Sequence, residues 1–393
     1  MLFPAGPAVS LMLTRFMMKL LFVMDHNNAN NGVTVSAQRY AAVLRQRGHE
    51  VRFLGTGDVG PGGWTLEQYH LPIFDKLISA QGMIFARVDK AVIREAVEWA
   101  DLVHFLVPFT MSIQTAVIAK RLGKPMTAAF HVQPQNISYS IGMGRWGWVN
   151  AFIYWYFRIT FFRRFRHIHC PSAFIAGEMA RHGYKAKLHV ISNGVDPRFV
   201  YYKQPKPNAW KDKFVVLMIG RFSGEKRQDV LIDAVDRSKY RDMIQLELAG
   251  QGPLQEALAK RAQGLPNPIH MAFYTHDELR ELLARCDLYV HAADAEIEAM
   301  SCMEAFSSGL VPVIADSPQS ATPQFALDGR SLFTAGDPDS LAERIDWWIE
   351  HPDQRAEMER AYSELGKKYA LEVCVDQFEA MLAEELAWWE QSA

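Results

Sequence analysis

The stretch AEIEAMSCMEAFSSGLVPVIADS, residues 295–317, decides how this chain is read. It carries two glutamates, Glu296 and Glu304, with seven residues between them, followed by Gly309 and the run VPVIA. Apolar, β-branched residues after a glycine read as a short buried strand. Residues 301–308 have helical composition, which predicts Glu304 on a helix and Glu296 on the loop that enters it. The start of that helix, at Ser301, offers free N–H groups and a positive dipole end, a ready anion site. Carboxylates beside it suit a ligand with hydroxyls next to phosphates, because a carboxylate accepts from a sugar hydroxyl in a charge-assisted bond. Taken alone, such a pair is more often two solvated helix-end glutamates. Its meaning depends on the rest of the chain.

The 393 residues are enough for two domains of ordinary size, and the composition is that of a globular protein. A formal net charge of −2 carries no bulk signal for nucleic acid, so no nucleic-acid partner is expected. Cys170, Cys286, Cys302 and Cys374 lie far apart without metal-ligand spacing, which fits a reduced, cytoplasmic setting. No run reaches the roughly 20 apolar residues of a membrane-spanning helix. Residues 1–17 read as an extension or a mis-assigned start, since MKLLFVMD from Met18 has the pattern of a first α/β strand. A first domain is expected over 18–200 and a second over 201–371. The helix 372–393 should pack back on the first domain.

Strand and helix patterns alternate throughout. LLFVMD (20–25) is followed by the loop HNNANNGVTVS and a helix through SAQRYAAVLRQRG, with Gly32 permitting close backbone approach to a ligand. HEVRFLG, LVHFLVP and PMTAAFHVQPQ supply further strands, the last leading to His131. In the second half FVVLMIG precedes a loop with Arg221 and Lys226, two cations that suit a diphosphate. IQLELAG, IHMAF and LYVHAA continue the series, and the glutamate pair follows LYVHAA directly. This is an α/β pattern with parallel sheets, and ligands of such sheets bind outside the carboxyl ends of the strands. Two sheets facing across a cleft would bring these loops together.

Between Leu102 and Gly177 the chain has no Asp or Glu. Within that span, RWGWVNAFIYWYFRITFFRRFRHIH interleaves Arg145, Arg158, Arg163, Arg164 and Arg166 with Trp146, Trp148 and further aromatics. Arginines suit lipid phosphates and aromatic rings suit headgroup depth, so an anionic membrane surface is the expected partner. The arginines spread over a broad arc of a helical wheel, and part of the aromatic face must therefore pack on the domain. A core helix with a solvated basic rim is the competing reading. The Asp337-Pro338-Asp339 triplet reads as a helix N-cap rather than a metal-binding pair.

GRFSGEK (220–226), LAGQGPL (248–254), NGVDPRF (193–199) and the segment from Glu296 to VPVIA together resemble the retaining glycosyltransferases of family 4. The resemblance covers nearly all of residues 18–390 and implies the GT-B fold, two Rossmann-like doubly wound domains facing across a cleft. It implies donor contacts from Arg221, Lys226, Glu304, Ser301 and Gly32, with Glu296 and His131 beside the transferred sugar. It implies a nucleoside diphosphate sugar as substrate and no cofactor or metal. Ile297-Glu298-Ala299 stands where the family often has Gly-Phe-Gly, which bears on the sugar contacts. The glutamate segment with the basic aromatic stretch looks most like bacterial enzymes that glucosylate diacylglycerol from UDP-glucose at the cytoplasmic leaflet. Other acceptors, a nucleotide-sugar epimerase and a non-catalytic membrane scaffold remain as rivals.

Overall fold

The computed structural model describes residues 17–27, 32–69, 84–140, 143 and 146–392. Two parallel sheets form its frame. The first contains β1 (Lys19–Asn27), β2 (Glu50–Gly57), β3 (Trp64–Thr65), β4 (Leu102–Phe105), β5 (Met126–Ala129), β6 (His167–Cys170) and β7 (Lys187–Val190), in the order β3-β2-β1-β4-β5-β6-β7. The second contains β8 (Phe214–Ile219), β9 (Ile244–Ala249), β10 (His270–Ala272), β11 (Leu288–His291), β12 (Pro312–Asp316) and β13 (Leu332–Thr334), in the order β10-β9-β8-β11-β12-β13. The strand order reverses beside the first strand of each sheet, which opens a crevice at the carboxyl ends. Strands covered on both faces need continuous apolar runs. Leu20, Leu21, Phe22 and Val23 of β1 are accordingly all buried, as are Val215, Val216 and Leu217 of β8.

Each domain buries its own core, but the first borrows from the end of the chain. Phe378, Met381 and Leu382 of the C-terminal helix join Phe22, Tyr40 and Phe53 in one buried cluster on one face of the first sheet. Phe378 meets the rings of Phe22, Tyr40 and His104. The chain crosses over where Val195 bridges to Ala370, next to the NGVD turn, whose Gly194 has φ 77°.

Local structure departs from the sequence expectations in three places. The helix after β1, α1 (Gly32–Gln46), begins at Gly32 rather than after the GVTV run. The β-branched Val33 and Thr34 are mediocre helix formers, but Thr34 and Ser36 are buried, so tertiary burial overrides propensity. Glu296 is not in a loop: Ala295–Glu296 is a two-residue strand pairing with Gln319–Ser320. The basic aromatic stretch is not one helix. Helix α2 (Gly147–Thr160) carries Arg158, while Arg163 and Arg164 lie on the 3-10 turn Phe162–Arg164 and Arg166 just ahead of β6. Phe161, Phe162 and Phe165 plunge into the core and end the helix there. Arg145 lies outside the described residues.

Candidate active site between the two sheets

The glutamate segment hangs from the carboxyl end of β11 and faces the first domain. Helix α3 (Met300–Ser307) starts after Ala299, which adopts a left-handed conformation at φ 63°. This strained start, costly for a residue with a Cβ, turns the chain so that Glu304 points into the cleft.

A set of hydrogen bonds ties this segment to the first domain. Ser172 Oγ donates to Ile297 O at 2.7 Å. Asn193 donates from its backbone N (2.9 Å) and from Nδ2 (2.7 Å) to Glu298 Oε2. Gln133 Nε2 donates to Gln319 O at 2.9 Å, and Tyr139 OH to Asp294 Oδ2 at 3.3 Å. Arg39 of α1 reaches Glu304 Oε1 with both terminal nitrogens at 3.3 Å. The carboxyl ends of the two sheets therefore border one crevice.

Lys226 closes the loop after β8 and forms an ion pair with Glu296 Oε1. His291 Nε2, from the end of β11, lies 3.4 Å from the same oxygen. Burial works to raise the Glu296 pKa, but the Lys226 ammonium and the adjacent His291 together overcome it and hold it down at about 2. This carboxylate is ionised throughout the physiological range and can accept from a hydroxyl. Glu304 behaves oppositely. Burial pushes it up to about 7, and the cations Arg39 and Arg198 only partly offset that. Glu298 is also pushed up to about 7 by burial, and its Oε1 has no hydrogen-bond partner.

Arg221 begins the loop that Lys226 ends, and Gln228 Nε2 fixes that loop by donating to Arg221 O at 2.9 Å. Gly250 makes the turn possible: a Cβ there would lie 2.0 Å from Gly220 O. Ser301 sits in the first turn of α3, its Oγ 3.1 Å from Tyr289 OH. Gly32 opens α1 with open space where a Cβ would be. His131 follows β5 and is buried with His104 and His169, its ring 5.2 Å from that of His169. Burial and the neighbouring His169 lower its pKa well below the usual imidazole value, so it is neutral.

Lys226, Glu296 and Glu304 thus come to one crevice, with Arg221 and Ser301 on the loop and helix that form its second-domain wall. Sequence reasoning missed Arg39, His291 and the anchoring role of Glu298. A polar residue inside the apolar strand LYVHAA was a usable signal for His291. Nothing local marks Arg39, because its partner is 265 positions away. The membrane-facing candidates are placed elsewhere, on the outer surface of the first domain. Trp146, Trp148, Phe152, Trp155 and Tyr156 are exposed, while Val149, Asn150, Tyr154 and Phe157 pack inward. Arg163 and Arg166 are also exposed. No helix among the described residues is long and apolar enough to cross a membrane.

Comparison with known proteins identifies the chain's family and fold. Residues 30–199 match the family model Glycosyltransferase Family 4, and residues 202–365 match Glycosyl transferases group 1. The chain is 29% identical over 233 residues to the lipopolysaccharide core biosynthesis glycosyltransferase LpsE of Rhizobium meliloti, covering 58% of this chain and 66% of that protein. It is 23% identical over 306 residues to the alpha-monoglucosyldiacylglycerol synthase of Streptococcus pneumoniae, covering 72% of this chain and 68% of that one. The chain thus spans about two thirds of the length of these two curated relatives. Among solved structures, Anabaena Alr3699/HepE in complex with UDP and glucose superposes with a TM-score of 0.72 at 18% identity, over 93% of this chain and 100% of that one. That likeness is one of fold. With two matched family models that together run from residue 30 to residue 365, and with two Rossmann-like sheets meeting at the glutamate segment, the chain belongs to the family 4 glycosyltransferases of GT-B fold.

Proposed function

We propose that this protein is a retaining hexosyltransferase that moves glucose from UDP-glucose to a hydroxyl of diacylglycerol, working at the inner face of the cytoplasmic membrane. The observation that carries the transferase reading is the Lys226–Glu296–His291 cluster facing Glu304 in one crevice. The donor diphosphate would lie over Lys226, Arg221 and the first turn of α3, where cations and unpaired N–H groups stabilise the leaving charge. This arrangement requires no metal. Glu296, ionised because Lys226 holds it so, would accept from a hydroxyl of the transferred sugar. Glu304 would accept from the ribose, in place of or alongside its contact with Arg39.

In this reading the acceptor oxygen approaches the anomeric carbon on the face that the diphosphate leaves. The carbon–oxygen bond to the diphosphate breaks and the bond to the acceptor forms. The acceptor proton passes to the departing phosphate oxygen, so no separate base is needed. His131, neutral and buried behind the crevice, would line the sugar side. Gly32 at the head of α1 would let the backbone approach the phosphates.

The lipid acceptor is supported by the exposed aromatic row on α2 and by the exposed Arg163 and Arg166 that follow it. It is supported also by the glycolipid product named for the Streptococcus pneumoniae relative. A saccharide acceptor is the second reading, favoured by the match to LpsE. Mass spectrometry of lipids after incubation with liposomes and a panel of nucleotide sugars separates these readings. A hexosyl-diacylglycerol supports the first. Transfer only to lipid-free oligosaccharides supports the second. Consumption of donor without any acceptor would indicate an epimerase instead.

A further inference from the structure

At the β6–β7 edge of the first sheet, three elements bring metal-ligating atoms together. His167 begins β6, His189 lies in β7, and Glu384 is on the C-terminal helix, α4 (Leu371–Ser392). His167 Nδ1 faces His189 Nε2 at 2.8 Å and lies 3.8 Å from Glu384 Oε2. One ligand atom from each of the three lies within 4.8 Å of the others. Two imidazole nitrogens facing at this distance hold either one shared proton or one metal ion between them.

The surroundings favour the metal. The other nitrogen of His167, Nε2, points to Glu385 Oε2 at 3.8 Å. Glu385 is 3% exposed, and that oxygen has no hydrogen-bond partner. A carboxylate behind a histidine is the usual support of a metal-bound imidazole: it fixes the tautomer and raises the ligand's basicity. Here it would leave Nδ1 free for the metal and give the unpartnered Glu385 oxygen the Nε2–H. We propose that His167 Nδ1, His189 Nε2 and Glu384 form a site for a divalent transition-metal cation of the zinc class. Two imidazoles and a carboxylate are a zinc-type donor set, and the fourth position goes to water.

Tetrahedral bonds to zinc place two nitrogens about 3.3 Å apart, so the histidine pair opens by roughly half an ångström on binding. The ring proton between the pair moves to the other nitrogen of its own ring, so that His167 Nδ1 and His189 Nε2 both present lone pairs to the ion. Lys187, now paired with Glu384, is 57% exposed and turns outward. The nearby cations Arg166, Lys185 and Lys187 oppose a second positive charge and keep the affinity moderate. Because its ligands come from β6, β7 and α4, the ion would act as a clip holding the C-terminal helix to the first domain. This site is independent of the transfer chemistry.

The test uses the full chain, stripped with a chelator and titrated with zinc chloride, followed by calorimetry and thermal unfolding. One equivalent should bind and raise the melting temperature by a few degrees. His189→Ala and Glu384→Gln should each weaken binding by at least about tenfold, and Glu385→Gln by about tenfold through loss of the supporting carboxylate. Glu384 lies on a solvent-facing side of the helix, so its variant keeps the fold if His189→Ala does not. Absence of zinc binding by the stripped protein, or undiminished binding in Glu384→Gln, overturns the assignment.

Discussion

Glu296 and Glu304 are eight positions apart in sequence and are set to opposite protonation behaviour by what faces them. Lys226 and His291 keep one ionised down to about pH 2, whereas burial, only partly offset by Arg39, raises the other to about 7. Removing Lys226 should therefore cost doubly, losing the donor cation and releasing Glu296. Lys226→Ala and Glu304→Ala should each lower turnover by about 10²–10³-fold, the scale of lost transition-state electrostatics, with circular dichroism unchanged. Near wild-type rates in either would remove the crevice from consideration. Glu298 gives a stability test. Its folded pKa, about 7, exceeds the ordinary glutamate value of 4.5, so folding favours the protonated form. Its contribution is present below about pH 4.5 and is lost as pH rises through 7. Glu298→Gln should gain stability over the parent progressively across that window, by at most about 3 kcal/mol. Urea midpoints at a series of pH values measure this, and a pH-independent difference would contradict it. The glutamate pair was legible in the sequence because its spacing is local. Arg39 and the Asn193–Glu298 bonds were not, because each joins residues more than 100 positions apart.

At the scale of elements, α2 separates its two faces more cleanly than its sequence suggests. Trp148, Phe152, Trp155 and Tyr156 recur at intervals of four, three and one and are all exposed, whereas Tyr154 and Phe157 fill the core. The rings of this row meet one another, Phe152 against Trp155, yet stay exposed to water, and a bilayer interface would cover them. Replacing Trp148 and Trp155 together by Ser should weaken binding to anionic vesicles by about tenfold or more without changing stability. Replacing Arg163, Arg164 and Arg166 together should weaken it by about 10²-fold, at about 1 kcal/mol per charge, and high salt should blunt only this second effect. Co-sedimentation measures both, and unchanged binding in both would return α2 to a purely structural role. A sequence wheel could not place the arginines because it assumed one helix. The three phenylalanines that end that helix are hydrophobic like their neighbours, and only the sheet beneath them decides which turn inward.

At the scale of the molecule, the C-terminal helix makes the two domains interdependent. It leaves the second domain at Ala370 and completes the core of the first with Phe378, Met381 and Leu382. Phe378→Ala should cost about 3–5 kcal/mol, the range for a large buried side chain. A urea-denaturation cost below about 1 kcal/mol would show the helix to be an accessory. The sequence by itself determined the alternation of strands and helices, the two-sheet architecture and the strand-end segments that carry Lys226, Glu296 and Glu304. Each of those rests on periodicity or turn chemistry within some twenty residues, which a local pattern encodes. The tertiary structure alone decided which cation meets which carboxylate, which aromatics face outward, and that β6, β7 and α4 converge on a histidine pair. Those outcomes depend on how distant surfaces dock, and docking is governed by burial across the whole chain rather than by any one stretch of it.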